Sequence, residues 1–331
     1  MKPYRIIAIE SSPYACKIRA VMRYRRIPYQ WVARMPQYFS ETAGVRPLIM
    51  PVVQFPDGAY HTDSTPIIHD LETRHPDTRS TIPPRPGAAF LSDLIEDMAD
   101  EWLTKCLFHH RFSHVRDRRC GAAWVIDDAH PQASRAELEP LIDEFVGRQV
   151  ARMPLVGCTP DNAALIEEFY LDVLAILEPF VASGVFLFGS RPALADFGLY
   201  GQLSTLARDP TPAAILLSHA PRTLHWVRRL DDASGLEGEW DDDVSPAVAA
   251  LVGLAGRYYL PFLSANTRAL ANGEAQVTLE LAGRPYTQAV YRYQGKCHDF
   301  LRRRYQALHA AAKAELASLL EESDCLRHLE A

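Results

Sequence analysis

The sequence has no surplus of positive charge. Its 331 residues carry 35 Lys and Arg against 41 Asp and Glu, a net charge of −6, so the chain as a whole is repelled by phosphate polyanions and by acidic membrane surfaces. Nucleic acid and membranes are not expected partners. Cysteine is sparse: Cys16, Cys106, Cys120, Cys158, Cys297 and Cys325 are scattered along the chain, without the close spacing of a zinc site or a redox dithiol. Free thiols in a reducing compartment follow, and a cytoplasmic location is the expectation. No stretch reaches the ~18 uninterrupted apolar residues of a membrane span, and the opening run Ile6–Ile9 is too short for a secretory signal. A glycine-rich phosphate loop, a His-Glu-x-x-His pair, a Gly-x-Ser-x-Gly elbow and a calcium-binding loop are all missing, which argues against nucleotide hydrolysis, zinc proteolysis and ordinary esterase chemistry. His110 and His114 lie one helical turn apart, but no third ligand accompanies them and no metal is expected.

What is present is a folded-protein composition, with 48% hydrophobic and 23% charged residues, over a length that suits two packed units on a prior of ~150 residues each. Tyr4–Ile9 reads as a strand, and after Pro13 the residues Ile18, Val21 and Met22 form a helical stripe opposite Lys17, Arg23 and Arg26. Tyr29–Ala33, Met50–Phe55 and Ala59–Thr62 read as further strands, the last two joined by the turn Pro56-Asp57-Gly58, and Asp63-Ser64-Thr65-Pro66 opens a helix. Residues 1–80 are thus an α/β domain. Pro83, Pro84 and Pro86 mark residues 81–87 as a linker. Residues 88–245 read as all-helical, with Leu91, Leu94, Ile95, Met98 and Trp102 on one stripe and Leu165, Ile166, Phe169, Val173, Leu174 and Leu177 on another. The acidic run from Asp231 to Asp243 reads as a solvated loop. Residues 246–331 form an extension: a helix to Leu270, a hairpin suggested by the alternation in Gln276–Leu281, and a long final helix from Tyr291 to Leu320 whose Arg302, Arg303 and Arg304 lie on a wet face.

The chemically suggestive stretch is Glu10-Ser11-Ser12-Pro13-Tyr14-Ala15-Cys16. A strand ends there, a serine falls at the N-cap and proline at the first helical position, so a hydroxyl and free amides meet at the positive end of a helix. Such a spot favours an anion. Taken alone, the pattern is also met by a serine that only caps its helix.

Three further segments, in order, change that balance. Ser12-Pro13-Tyr14-x-x-Lys17-Ile18-Arg19, Ile49-Met50-Pro51-Val52, Asp63-Ser64 before Ile67, and Leu194-Ala195-Asp196-Phe197-Gly198-Leu199-Tyr200-Gly201 together resemble the serine-type glutathione S-transferase superfamily over roughly residues 3–230. The resemblance implies a thioredoxin-like N-terminal domain followed by an all-helical one, glutathione as cosubstrate in the cleft between them, and a homodimer. It implies that Ser12 holds the glutathione thiolate, with Ser11 as the alternate. Met50, before a cis Pro51, would pair its backbone with the cysteinyl part; Asp63 would attract the γ-glutamyl ammonium and Ser64 the adjoining carboxylate. The chemistry is coherent: a thiol of pKa ~8.5 is about 3% thiolate at pH 7, and lowering it by two units, worth ~2.7 kcal/mol, makes about three quarters of it nucleophilic. One hydrogen bond to a charged group supplies ~1.5–3 kcal/mol.

The likeness has gaps. Ile49 stands where many relatives carry a basic residue, which leaves the glycyl carboxylate to Arg34, Arg46 or another partner. Ala193 takes the place of a capping Ser or Thr, a cap weaker by ~1 kcal/mol. Cys16 lies inside the helix, against a cysteine-type thiol transferase, and the tail beyond residue 245 exceeds the usual family length. Tyr14, Trp102 and His109 are the expected second-substrate residues, in a wall that also includes Met98, Phe108 and Phe112. The expected activity is attack of glutathione on a hydrophobic electrophile, as in detoxification. The alternatives are a non-catalytic glutathione-binding or regulatory protein of the same fold, and a specialised glutathione-dependent ether cleavage, dehalogenation or isomerisation.

Overall fold

The computed structural model describes residues 2–330. The chain opens β1 (Tyr4–Ala8), α1 (Pro13–Tyr24), β2 (Tyr29–Ala33), the single turn α2 (Phe39–Thr42), β3 (Val52–Gln54), β4 (Tyr60–Thr62) and α3 (Ser64–Arg74). These strands form one four-stranded sheet in the order β2-β1-β3-β4. β1 pairs parallel with β2, and β3 pairs antiparallel with both β1 and β4. Apolar Ile6, Ile7, Val52 and Val53 are buried in the central strands, where β-branched side chains suit a pleated surface covered on both sides. This is a thioredoxin-like domain.

A helical domain follows, built from α4 (Pro86–Met98), α5 (Thr104–Ser113), α6 (Val115–Ala129), α7 (Arg135–Arg152), α8 (Ala163–Val181), α9 (Leu194–Leu206), α10 (Pro210–His219) and α11 (Pro221–Asp231). A π-helical turn, Ala99–Leu103, joins α4 to α5. α9 packs directly on α1. The approach depends on Gly201, because a Cβ there would sit 2.8 Å from the Pro13 carbonyl oxygen, so the glycine sets how closely the second domain meets the N-terminus of α1. Ala193 leaves the start of α9 without a side-chain cap, and the carboxylate of Asp196 does that work instead, accepting from the amides of Ala193 at 2.8 Å and Leu187 at 3.0 Å.

The extension consists of α12 (Pro246–Leu254), a π-helical turn Ala255–Tyr259, α13 (Leu260–Asn272), an antiparallel hairpin of β5 (Gln276–Leu281) and β6 (Arg284–Ala289), then α14 (Arg292–Gln306), α15 (Ala310–Glu322) and α16 (Leu326–Glu330). Leu251, Val252, Tyr258, Tyr259, Phe262 and Leu263 join the same apolar cluster as the core of the helical domain. The continuous helix Pro246–Asn272 is long and apolar enough to cross a membrane, and 67% of its most apolar window is buried inside the fold.

Two sequence expectations need correction. The long helix from Tyr291 to Leu320 is two helices. The chain turns at residues 307–309 and His309 accepts from the Ala312 amide at 3.2 Å, which folds α15 back so that Leu316 packs against Gly87 at the head of α4. The acidic run is not simply solvated either. Asp231 accepts from Tyr200, Arg23 and Arg19 at 2.5, 2.9 and 3.3 Å, and Glu237 from Arg26 at 3.2 Å. The stretch therefore clamps the basic side of α1 onto the helical domain.

Candidate functional site

Ser12 is the N-cap of α1, with extended backbone, and its Oγ accepts from the Ala15 amide at 3.4 Å. Pro13 follows at the first helical position, where a missing N–H leaves no gap in the ladder. The accepting bond leaves the Ser12 hydroxyl proton free for an anion at the helix start. Ser12 is 7% exposed and opens onto a cavity of about 630 Å³. The Oγ of Ser11, its alternate, is buried with no partner; Ser11 lines the same cavity.

Met50 borders that cavity and a second one of about 750 Å³, and the Met50–Pro51 peptide is cis. The second cavity brings Met50 together with Asp63 and Ser64. Asp63 has a left-handed φ of 74°, which Asp tolerates better than most residues. Its Oδ2 accepts from the Tyr293 hydroxyl of α14 at 2.6 Å. Ser64, at the head of α3, donates to Asp100 Oδ2 at 3.4 Å. Ser12, Met50, Asp63 and Ser64 thus line the two adjoining cavities, and Asp63 and Ser64 already hold side-chain partners.

Beneath this corner lies a buried charge cluster. The Lys17 ammonium, fully buried, bonds to Glu96 at 2.6 Å and to Asp100, and Glu96 also accepts from Thr65 at 2.7 Å. One ammonium cannot neutralise two carboxylates, and burial pushes the Asp100 carboxyl up to about 7. Burial also lifts Asp97, on the same turn, to about 8, opposed by the Tyr259 hydroxyl at 2.6 Å. Lys105, at the cavity wall, is drawn down to about 8 by burial and donates to Gln288 of β6 at 2.6 Å and to the Val156 carbonyl at 3.0 Å.

The residues expected to form a second-substrate wall separate in the structure. Trp102 is 1% exposed and enclosed by the rings of Phe169, Tyr259, Phe262 and Tyr286; it is core, and three of its four neighbours come from the extension. His109 faces away from the cavity, its Nε2 3.0 Å from Glu167 and its Nδ1 3.1 Å from Ser113. Met98 is likewise core. Tyr14 lines both cavities, but its hydroxyl donates to the Asp100 carbonyl at 3.0 Å and burial holds its pKa far up. Phe108 and Phe112 do line the Ser12 cavity, with Leu107, Arg111, Val125, Ile126, Leu141, Phe145 and Arg148. Arg111 was legible in principle, since it lies on the face of Phe108 and Phe112 at helical spacing i, i+3, i+4. The α7 residues and the extension's Tyr293 carry no such local signal.

The basic residues left open by Ile49 separate. Arg34 lines the Ser12 cavity and lies over the Phe39 ring at 4.7 Å, whereas Arg46 donates to the Ala43 and Val45 carbonyls and lines a third cavity of about 1110 Å³. His110 and His114 diverge. His110 is buried against Tyr170, with burial lowering it to about 4, while His114 is exposed, and no group of three metal-ligating side chains occurs among the described residues.

Residues 11–74 match the family described as "Glutathione S-transferase, N-terminal domain". No curated protein matches the sequence significantly. Among solved structures, a rice glutathione S-transferase in complex with glutathione is 16% identical, with a TM-score of 0.43 over 69% of this chain and 87% of its own. A glutathione S-transferase from Rhodospirillum rubrum F11 is 19% identical, with a TM-score of 0.42 over 75% and 91%. The beta-etherase of Sphingobium sp. strain SYK-6 is 17% identical, with a TM-score of 0.48 over 76% and 98%.

Proposed function

We propose that this chain, whose residues 11–74 belong to the glutathione S-transferase N-terminal domain family, is a glutathione transferase acting on an electrophile held in the Ser12 cavity. The observation that carries the reading is the state of Ser12. Its oxygen is fixed by the Ala15 amide, and its proton is uncommitted at a helix start that opens onto a cavity with an apolar wall. A tripeptide lying past Met50, with its γ-glutamyl end at Asp63 and Ser64, would set its sulfur against that hydroxyl. The Ser12 O–H donates to the thiolate, and the helix dipole adds to the field. The thiol proton passes to solvent, the sulfur forms a bond to the electrophilic carbon, and the leaving group departs with the electron pair of the broken bond. A homodimer and a cytoplasmic location belong to the same reading.

The test is a titration of bound glutathione, following thiolate absorbance at 240 nm in the wild type and in Ser12→Ala. The expected result is a thiol pKa about two units below ~8.5 in the wild type, most of it lost in the variant. A sulfur that titrates in the wild type as it does in buffer overturns the mechanism. One observation favours a second reading, a glutathione-binding protein without turnover: Tyr293 already occupies Asp63. Tight binding of glutathione with no Ser12-dependent rate on an aryl halide would select it.

A further inference from the structure

The lining of the Ser12 cavity holds more guanidinium than carboxylate groups, in a protein whose net charge is −6. Three guanidiniums line it, those of Arg34, Arg111 and Arg148, against one carboxylate, Glu144; the remaining titratable lining groups are His130 and Tyr14. Arg111 is nine-tenths buried and held by Asp209 at 2.7 Å and by the Ser11 carbonyl at 3.4 Å, and its Nη2 is buried without any partner. Arg34 and Arg148 pair with no acid among the described residues. Each instead rests on an aromatic face of the wall, Arg34 over Phe39 at 4.7 Å and Arg148 over Phe145 at 5.4 Å. A guanidinium stacked in this way keeps its outward N–H groups free for a planar carboxylate, which it binds with two parallel hydrogen bonds. Between these cations the wall is apolar, from Leu107, Phe108, Phe112, Val125, Ile126 and Leu141, and offers an acid no bed except for its hydrocarbon part.

Resting on the glutathione reading above, we infer that the second substrate is an apolar acid, an aromatic or long aliphatic body bearing a carboxylate. The carboxylate meets Arg34 and Arg148, the body lies on the Phe108 and Phe112 wall, and Arg111, paired with Asp209, offers its unpartnered Nη2 as a donor beside Ser12. Neutral electrophiles of the same shape are poorer ligands, because they leave the guanidiniums unpaired in a partly desolvated cavity. Arg34 and Arg148 are therefore specificity-determining residues.

The probes are 2-naphthoate and 2-naphthamide, equal in ring and unlike in charge, titrated calorimetrically into the full-length chain with and without saturating S-methylglutathione. Naphthoate is expected to bind at least tenfold more tightly than the amide in both conditions. Arg34→Gln, at a half-buried side chain, and Arg148→Gln, at an exposed one, are each expected to bring that ratio below about threefold while leaving the amide's affinity unchanged. Equal affinities in the wild type overturn the inference, as does a ratio that neither variant lowers. Loss of the preference when S-methylglutathione is bound also overturns it, since the cations would then serve the tripeptide's own carboxylate. If S-methylglutathione itself fails to bind while naphthoate keeps its preference, the glutathione reading falls and the acid site stands.

Discussion

The hydroxyl of Tyr293 donates to the carboxylate of Asp63 at 2.6 Å, across 230 residues of sequence. Asp63 is the residue to which resemblance assigns the ligand's ammonium, so on that assignment ligand and extension would share one carboxylate. Tyr293→Phe removes the competitor, and a hydrogen bond to a charged group is worth ~1.5–3 kcal/mol. The expected outcome is glutathione binding at least fivefold tighter by calorimetry. Weaker binding would mean that the hydroxyl belongs to the bound complex.

Ser12→Ala separates two roles of one oxygen. Loss of the thiolate contact is expected to lower kcat/KM for glutathione by about 10- to 100-fold near pH 6.5. The deficit should shrink as pH rises past the ordinary thiol range, because free thiol then ionises unaided. Loss of the cap bond is expected to cost only ~1 kcal/mol of stability in denaturant unfolding. A rate deficit independent of pH would argue that the hydroxyl acts on something other than sulfur ionisation.

Asp97 keeps its proton to about pH 8 in the folded chain because it is buried, whereas an unfolded aspartate releases it near ~3.9. The folded state thus binds more protons over that window, so stability falls as pH rises from ~4 to ~8 and levels off above. Asp97→Asn takes that share of the slope away. Thermal unfolding at pH 5 and pH 8.5 is expected to give a smaller Tm difference in the variant than in the wild type. An unchanged difference would place the slope in Asp100 and Asp196, which burial also raises, each to about 7.

Removal of residues 246–331 is expected to yield an insoluble or molten chain, not a trimmed enzyme. Tyr259, Phe262 and Tyr286 cover Trp102, and their loss would lay bare a large apolar patch. Soluble yield and near-ultraviolet circular dichroism of the truncated chain check this. A folded, monodisperse product would show the extension to be dispensable packing. A point test of the same contact is Gly157→Ala: φ there is 77°, and a Cβ would fall 2.2 Å from the Tyr286 hydroxyl, so a loss of more than ~2 kcal/mol is expected.

Much of this arrangement was legible because local chemistry dictates it. Ser12-Pro13 names a helix start, Pro56-Asp57-Gly58 a tight turn, and the alternation of Val277, Leu279 and Leu281 a strand with one covered face. The apolar stripe of α4 was read correctly, yet the stripe does not say what lies over it. Trp102 reads as cavity wall because the three extension aromatics that bury it lie more than 150 residues downstream in sequence, where no periodicity links them to the π-helical turn that carries it. His109 failed for a similar reason: its partner Glu167 belongs to α8. Charge partnerships across domains, such as Asp231 with Arg19 and Arg23, are set by packing angles that no single segment encodes.

The pair α6 and α7 has a small apolar centre of its own, Ala122, Leu138 and Ile142, separate from the main core. From this pair come Val125, Ile126, Leu141, Phe145 and Arg148, the outer half of the pocket beside Ser12. On the proposed reading, Ser12 sits on the main body, whereas part of the second-substrate wall rests on this separately packed pair. That part of the wall can therefore be altered by exchanges on two helices that leave the packing around Ser12 in place.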